Sequence, residues 1–93
     1  MNTSLLKQAT EFVAETLELT EGWEIGYIGT GYLTTHTNDG LEAEVFKVST
    51  IEDLHDGVTK VSAESIEFFS RGETSHTDAE RLATELDTKL IFQ

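Results

Sequence analysis

The chain's 93 residues suffice for one domain with a modest core, and 18 acidic against 6 basic residues give a formal net charge of −12. That surplus disfavours direct contact with nucleic acid or anionic lipid unless a metal intervenes, and it draws basic partners inward. The absence of cysteine excludes a disulfide framework, a thiolate nucleophile and a Cys-based zinc site.

The first residues, Met1 to Gln8, carry neither a basic region nor a long apolar run, so no signal peptide is expected. No stretch approaches the roughly 18 apolar residues of a transmembrane helix, and a cytoplasmic location is the expectation. Thr3 or Ser4 is placed to cap a first helix running to about Leu19. Leu5, Leu6, Ala9, Phe12, Val13, Thr16 and Leu17 recur on its apolar stripe. Glu11, Glu15 and Glu18 stack on the other side without lysine partners, which costs some tenths of a kcal/mol per pair.

Gly22 is suited to a left-handed conformation after that helix. Trp23 to Val48 then reads as a β-hairpin, two runs rich in β-branched and aromatic residues joined by a turn. In the first strand Trp23, Ile25 and Tyr27 share a face while Glu24 points away. The strand is expected to resume through Tyr32, Leu33, Thr34 and Thr35 after an irregular point at Gly26, Gly29 and Gly31. Those glycines have the wrong spacing for a nucleotide loop, and neither a helix pattern nor a lysine follows. A bulge, a sharp curve or a close helix crossing accounts for them better.

Asn38-Asp39-Gly40 supplies the turn, with Asp39-Gly40 suited to type I′ geometry. In the second strand Leu41, Ala43 and Val45 face one way, and Glu42 and Glu44 the other. The parity shifts at Phe46 and Val48, as at a second bulge or where both faces are covered. Glu24, Glu42 and Glu44 would then form an acidic patch on an outward sheet face, where opposed like charges are unfavourable.

Thr50 predicts the cap of a second helix, with Asp53 in the capping-box position and Ile51, Leu54, Val58 and Val61 as its apolar face. Glu52, Asp53 and Asp56 fall in its first turns, where the helix dipole favours them. Gly57 weakens that helix. Residues 62–72 fit a helix begun at Ser62 and closed by Arg71 and Gly72, or a strand with Ile66 and Phe68 opposite Glu67 and Phe69. The cap and stop residues favour the helix. Thr77 with Glu80 forms a capping-box signature for a last helix whose stripe is Ala79, Leu82, Ala83 and Leu86. Leu90, Ile91 and Phe92 end the chain as a short strand or a packed tail. The expected fold is one α+β domain over residues 1–93. It has an N-terminal helix, an antiparallel β-hairpin, two or three further helices and a short C-terminal strand, with the helices packed on one sheet face.

No catalytic constellation stands out, so neither an enzyme nor a cofactor or metal binder is expected. Among 18 acids, chance carboxylate pairs carry no information. His36, His55 and His76 fall on a turn, a helix and a loop and read as surface residues without zinc-ligand spacing. Asp53 with Asp56, and Asn38 with Asp39, lack the EF-hand pattern, while Ser62, Ser65 and Ser70 have no paired base.

The surface is the remaining signal. Residues 1–49 hold eight acids and two bases, and residues 50–93 ten and four, so the charge is spread over the fold and not confined to a tail. Evenly spread carboxylates imitate a phosphate array and suit a basic groove on another protein. The candidate protein-binding residues are Glu11, Glu15 and Glu18 on the first helix, Glu24, Glu42 and Glu44 on the hairpin, and Glu80 and Glu85 on the last helix. In size and charge the chain resembles the small acidic inhibitors that phages and mobile elements aim at bacterial nucleases. Restriction enzymes and CRISPR effectors are among their targets. The resemblance implies an anti-restriction or anti-CRISPR role, with a basic nucleic-acid-binding protein or nuclease complex as partner. Two other readings compete. An adaptor or assembly protein would dock through Tyr27, Tyr32 or Phe69. A halophilic domain would carry the charge for hydration alone, although its 13 Glu against 5 Asp speak against that.

Overall fold

The computed structural model describes residues 3–53, 58–70 and 72–92. In order they form α1 (Thr3–Thr16), β1 (Trp23–Ile28), β2 (Tyr32–Thr37), β3 (Ala43–Asp53), β4 (Val58–Phe69) and α2 (Ser75–Ile91). The strands make one antiparallel sheet in the order β1-β2-β3-β4. The fold is α+β, as the residue patterns predict, but its inventory differs: among the described residues there are two helices and four strands, without a C-terminal strand.

Helix α1 ends at Thr16, before Leu19. Leu6, Ala9, Thr10 and Val13 are buried and Leu17 packs on the same cluster, whereas Phe12 is 56% exposed. Thr10 explains the displacement of Phe12. Its hydroxyl donates to Leu6 O at 2.9 Å and to Thr30 O at 2.8 Å, so a polar residue occupies the inward position at helical spacing. Gly22 takes a φ of 91°, the left-handed geometry expected of it.

The run from Trp23 to Thr35 is two strands and not one interrupted strand. Residues 29–31 form a turn, closed by the Gly29 N–H donating to Tyr32 O at 2.9 Å, and β2 returns along β1. The register shifts between Ile25 and Ile28, a bulge that separates the faces of its two neighbours. Ile25 packs with the α1 cluster, while Tyr27 packs with the α2 cluster. At the next connection Gly40 has a φ of 74°, but Asp39 does not have positive φ, so Asp39-Gly40 is not a type I′ turn. Asp39 accepts instead from the Thr37 hydroxyl at 2.6 Å and the Leu41 N–H at 3.0 Å, and these bonds, Thr37's first, hold its carboxyl below the ordinary value.

The helices do not share a sheet face. Successive strand residues point to opposite sides, and Tyr32 belongs to the cluster under α2 whereas Leu33 belongs to the cluster under α1. Ala43 and Val45 likewise meet Ala79 and Ala83 of α2, and Val48 meets Leu6, Ala9 and Val13 of α1. One helix therefore covers each face, which is why every residue from Tyr32 to His36 is buried.

Residues 51–53 and 58–69, expected to be helical, belong to the long hairpin β3–β4, paired from Ala43↔Phe69 to Asp53↔Val58. Val45, Val48, Thr50 and Ile51 on one strand and Val61 on the other are β-branched, and each pairs with a residue on the other arm of the hairpin. A ladder of that length outweighs the local Thr50 capping signal. The register shifts between Val45 and Phe46, the second irregularity expected near that point. Beyond Tyr32↔Lys47, β3 and β4 run on without β2 as a two-stranded ribbon. Leu54, His55, Asp56 and Gly57, and Arg71, lie outside the described residues, as do the side chains of Glu52, Asp53 and Val58.

Helix α2 begins at Ser75 with Thr74 as N-cap and no side-chain cap bond, so Thr77 is inside the first turn and not at its boundary. Its stripe of Ala79, Leu82, Ala83 and Leu86 is as predicted and continues to Leu90. Leu90 sits four residues after Leu86 and packs on both clusters, which keeps the end of the chain helical.

Candidate functional site

The glycines at 29 and 31 build a small cradle of backbone donors, and the chain fills it with its own carboxylate. Asp87 of α2, 4% exposed, accepts from Gly31 N–H at 2.8 Å, from Thr30 N–H at 3.0 Å and from the Tyr27 hydroxyl at 3.0 Å. Thr10 of α1 holds the same turn from the other side through Thr30 O. The cradle resembles a phosphate site in its donors, but it is a structural latch joining both helices to the β1–β2 turn. A Cβ on Gly29 would lie 2.6 Å from Asp87 Oδ2 and 2.7 Å from the Tyr27 hydroxyl, both fixed by hydrogen bonds. Gly29→Ala is therefore expected to cost about 2–3 kcal/mol in a denaturant titration, toward the upper end for overpacking.

Burial first, then the hydrogen bond to Asp87 and its negative charge, raise the Tyr27 hydroxyl above its ordinary value of 10.0. The neutral hydroxyl is the form the fold favours. Its contribution is complete below the unfolded tyrosine value and is lost as pH rises through the folded one. The stability difference between the parent protein and Tyr27→Phe should accordingly be constant from pH 7 to 9 and shrink above about 10. A difference that grew with alkalinity would contradict the latch.

His36 and His76 are brought together, contrary to their expected separation on a turn and a loop. His36 is a buried residue of β2 and His76 belongs to the first turn of α2; their rings stack at 3.9 Å with planes 20° apart. Glu24 lies 3.5 Å from His36 Nε2, and Glu80 lies 3.0 Å from His76 Nε2. The quartet closes the α2 face at the β1 edge. Among the described residues no group of three or more His, Asp or Glu is disposed to hold a metal. His55 lies outside those residues.

The candidate carboxylates divide between the two faces. Glu24 pairs with His36 across β1 and β2 and sits under α2 beside Glu80. Glu44 pairs with Thr35, next to Leu33 and Phe46 on the α1 side. Glu42 precedes β3, exposed in the β2–β3 connection, where its N–H donates to the Thr37 hydroxyl at 3.1 Å. The expected outward patch of Glu24, Glu42 and Glu44 is thus not formed, because both faces are covered and because Glu24 pairs with His36 and Glu44 with Thr35, consecutive β2 residues that point to opposite sides. Glu11 and Glu15 are exposed on α1, Glu18 is exposed just beyond it, and Glu85 is exposed on α2.

Glu18 and Glu44 instead both line a cleft of about 200 Å3 between the end of α1 and the sheet, together with Leu17, Leu19, Trp23, Thr35, Phe46 and Phe68. The residue patterns did not indicate this cleft. Trp23 and Phe68 come from β1 and β4, the two edges of the sheet, with Phe46 from β3 between them, and only the strand order brings the three together. Tyr32 and Phe69, expected as docking aromatics, are buried, and Tyr27 is tied to Asp87. Among the described residues no helix is long and apolar enough to cross a membrane. Compared with protein-family models, curated proteins and solved structures, the chain matches none.

Proposed function

We propose that the protein is a small acidic inhibitor that binds another protein in the cytoplasm, without enzymatic activity. It occupies the basic groove in which a nuclease or other nucleic-acid-processing protein holds its substrate. The observation that carries this reading is the lack of internal neutralisation. Among the described residues, Arg81–Asp78 at 3.7 Å is the one ion pair between a lysine or arginine and a carboxylate. The remaining negative field is therefore available to a partner, steering its approach and supplying charge-assisted hydrogen bonds on contact. Glu11 and Glu15 rise about 6 Å apart along α1, coarser than the roughly 3.4 Å per charge of a single strand in duplex DNA. The helix alone therefore imitates a strand only in part, and Glu18 and Glu44 add their charge at the neighbouring cleft on the same side of the sheet. The adaptor reading loses its named anchors, since Tyr27, Tyr32 and Phe69 are not free surface aromatics.

The test is capture from host lysate on the immobilised protein at low and moderate salt, with bound proteins identified by mass spectrometry. The expected result is a basic nucleic-acid-processing protein, released by salt and displaced by DNA or RNA. Recovery of a non-basic partner that ignores both salt and nucleic acid would overturn the proposal.

A further inference from the structure

We propose that the cleft beneath the end of α1 is an arginine-docking site, which receives one guanidinium side chain of the partner protein. The inference rests on the inhibitor reading for the partner's identity, but on the cleft's own chemistry for the ligand.

Trp23 and Phe68 come from opposite edges of the sheet, yet their ring centroids lie 6.3 Å apart with planes at 44°. They bridge the two central strands over Thr35 and Glu44, one of the cross-strand pairs beneath them. The lining thus combines aromatic rings with two carboxylates, beside the aliphatic Leu17 and Leu19. Glu44 is half-buried; its Oε2 accepts from the Ser65 hydroxyl at 2.6 Å, which orients the carboxylate. Glu18 is an exposed part of the lining, and among the described residues no cation lies within ion-pair distance of either acid.

Aromatic faces beside unneutralised carboxylates select a cation and repel a phosphate or a carboxylate ligand. The volume selects a side chain: about 200 Å3 falls below the roughly 300–1,000 Å3 of ordinary small-molecule pockets. Between the two cationic side chains, the cleft favours arginine. A planar, weakly hydrated guanidinium stacks on an indole and presents a fork to carboxylates, whereas an ammonium keeps a tighter hydration shell. On a nucleic-acid-processing protein such an arginine would ordinarily contact a phosphate. Sequestering it would add a specific anchor to the less selective field of the surface acids.

Trp23 is the sole tryptophan, so its fluorescence reports on the cleft without interference. The isolated protein is titrated at low salt with Nα-acetyl-arginine amide and, as the neutral isostere, Nα-acetyl-citrulline amide. A saturable Trp23 response is expected, about fivefold to tenfold tighter for the arginine compound. Glu44→Gln, which keeps an acceptor for Ser65, should weaken the arginine response by about the same factor, with an unchanged circular dichroism spectrum and thermal midpoint confirming the fold. Glu64→Gln, on the opposite sheet face, should leave it unchanged. Equal responses to both compounds, or an unaltered response in Glu44→Gln, would overturn the arginine site. Failure here while a basic partner is still captured from lysate would leave the inhibitor reading standing. Success here with only a salt-insensitive, non-basic partner captured would uphold the cleft and overturn the nuclease reading.

Discussion

Asp87→Ala is expected to lower the unfolding free energy by about 3–5 kcal/mol. The substitution strands the N–H groups of Thr30 and Gly31 and the Tyr27 hydroxyl, all of which donate to the Asp87 carboxylate. An unpaired buried donor costs about 1–3 kcal/mol, less where water can reach it, and three together exceed what is recovered by no longer burying a charge. The loss is large against the roughly 5–15 kcal/mol stability of a typical domain. Asp87→Asn separates donor satisfaction from simple volume. Its carbonyl can still accept from Gly31, but its amide group faces donors, so its cost should fall between those of the parent and the alanine variant. Denaturant titrations followed by Trp23 fluorescence and by circular dichroism would measure both. An alanine variant within about 1 kcal/mol of the parent would show that the latch is not a main support of the fold.

Asp87 also shows why part of the structure was legible in the sequence and part was not. The stripes of α1 and α2 repeat locally, so Leu6, Ala9 and Val13, and Ala79, Ala83 and Leu86, could be assigned from spacing alone. The same stripe held a neglected signal. Asp87 follows Ala79 and Ala83 at intervals of four, an acid on the buried side of a helix, and Gly29-Thr30-Gly31 offered the amide donors to receive it. A buried acid calls for partners, and the glycine turn was the segment most able to provide them. Residues 51–53 and 58–69 depart from the helical expectation for a different reason. Thr50, Asp53, Ser62 and Gly72 are local punctuation for helices, but the ladder from Ala43↔Phe69 to Asp53↔Val58 joins residues up to 26 positions apart. Such pairing leaves no periodic mark that distinguishes it from a helix once Glu52, Asp53 and Asp56 are read as a helix's first turns. The cleft was illegible for the same reason, since Trp23 and Phe68 meet only through the order of the whole sheet.

Reversing Glu11, Glu15 and Glu18 together to lysine is expected to weaken partner binding by about 100-fold or more at low salt, chiefly through slower association. These residues are exposed and lack cationic partners among the described residues, so their charges contribute to the external field more than to the fold. The glutamine triple variant provides the neutral comparison. It should leave the helix intact, or stabilise it by a few tenths of a kcal/mol by relieving like-charge repulsion between neighbouring turns, while still losing most of the steering. Binding kinetics measured across a salt series discriminate the contributions. For the parent protein the association rate should fall steeply as salt rises, and for both variants the dependence should flatten. Reversal of Glu80 and Glu85 on α2 supplies the matching test of the other face, because Glu44 and the α1 ridge lie across the sheet from α2. A partner bound through the α1 side would register the first set far more strongly than the second. Equal losses from both sets would mean that the partner surrounds the domain and responds to its total charge. An unchanged association rate in the α1 lysine variant would remove the ridge from the interface and, with it, the carboxylate array on which the inhibitor proposal depends.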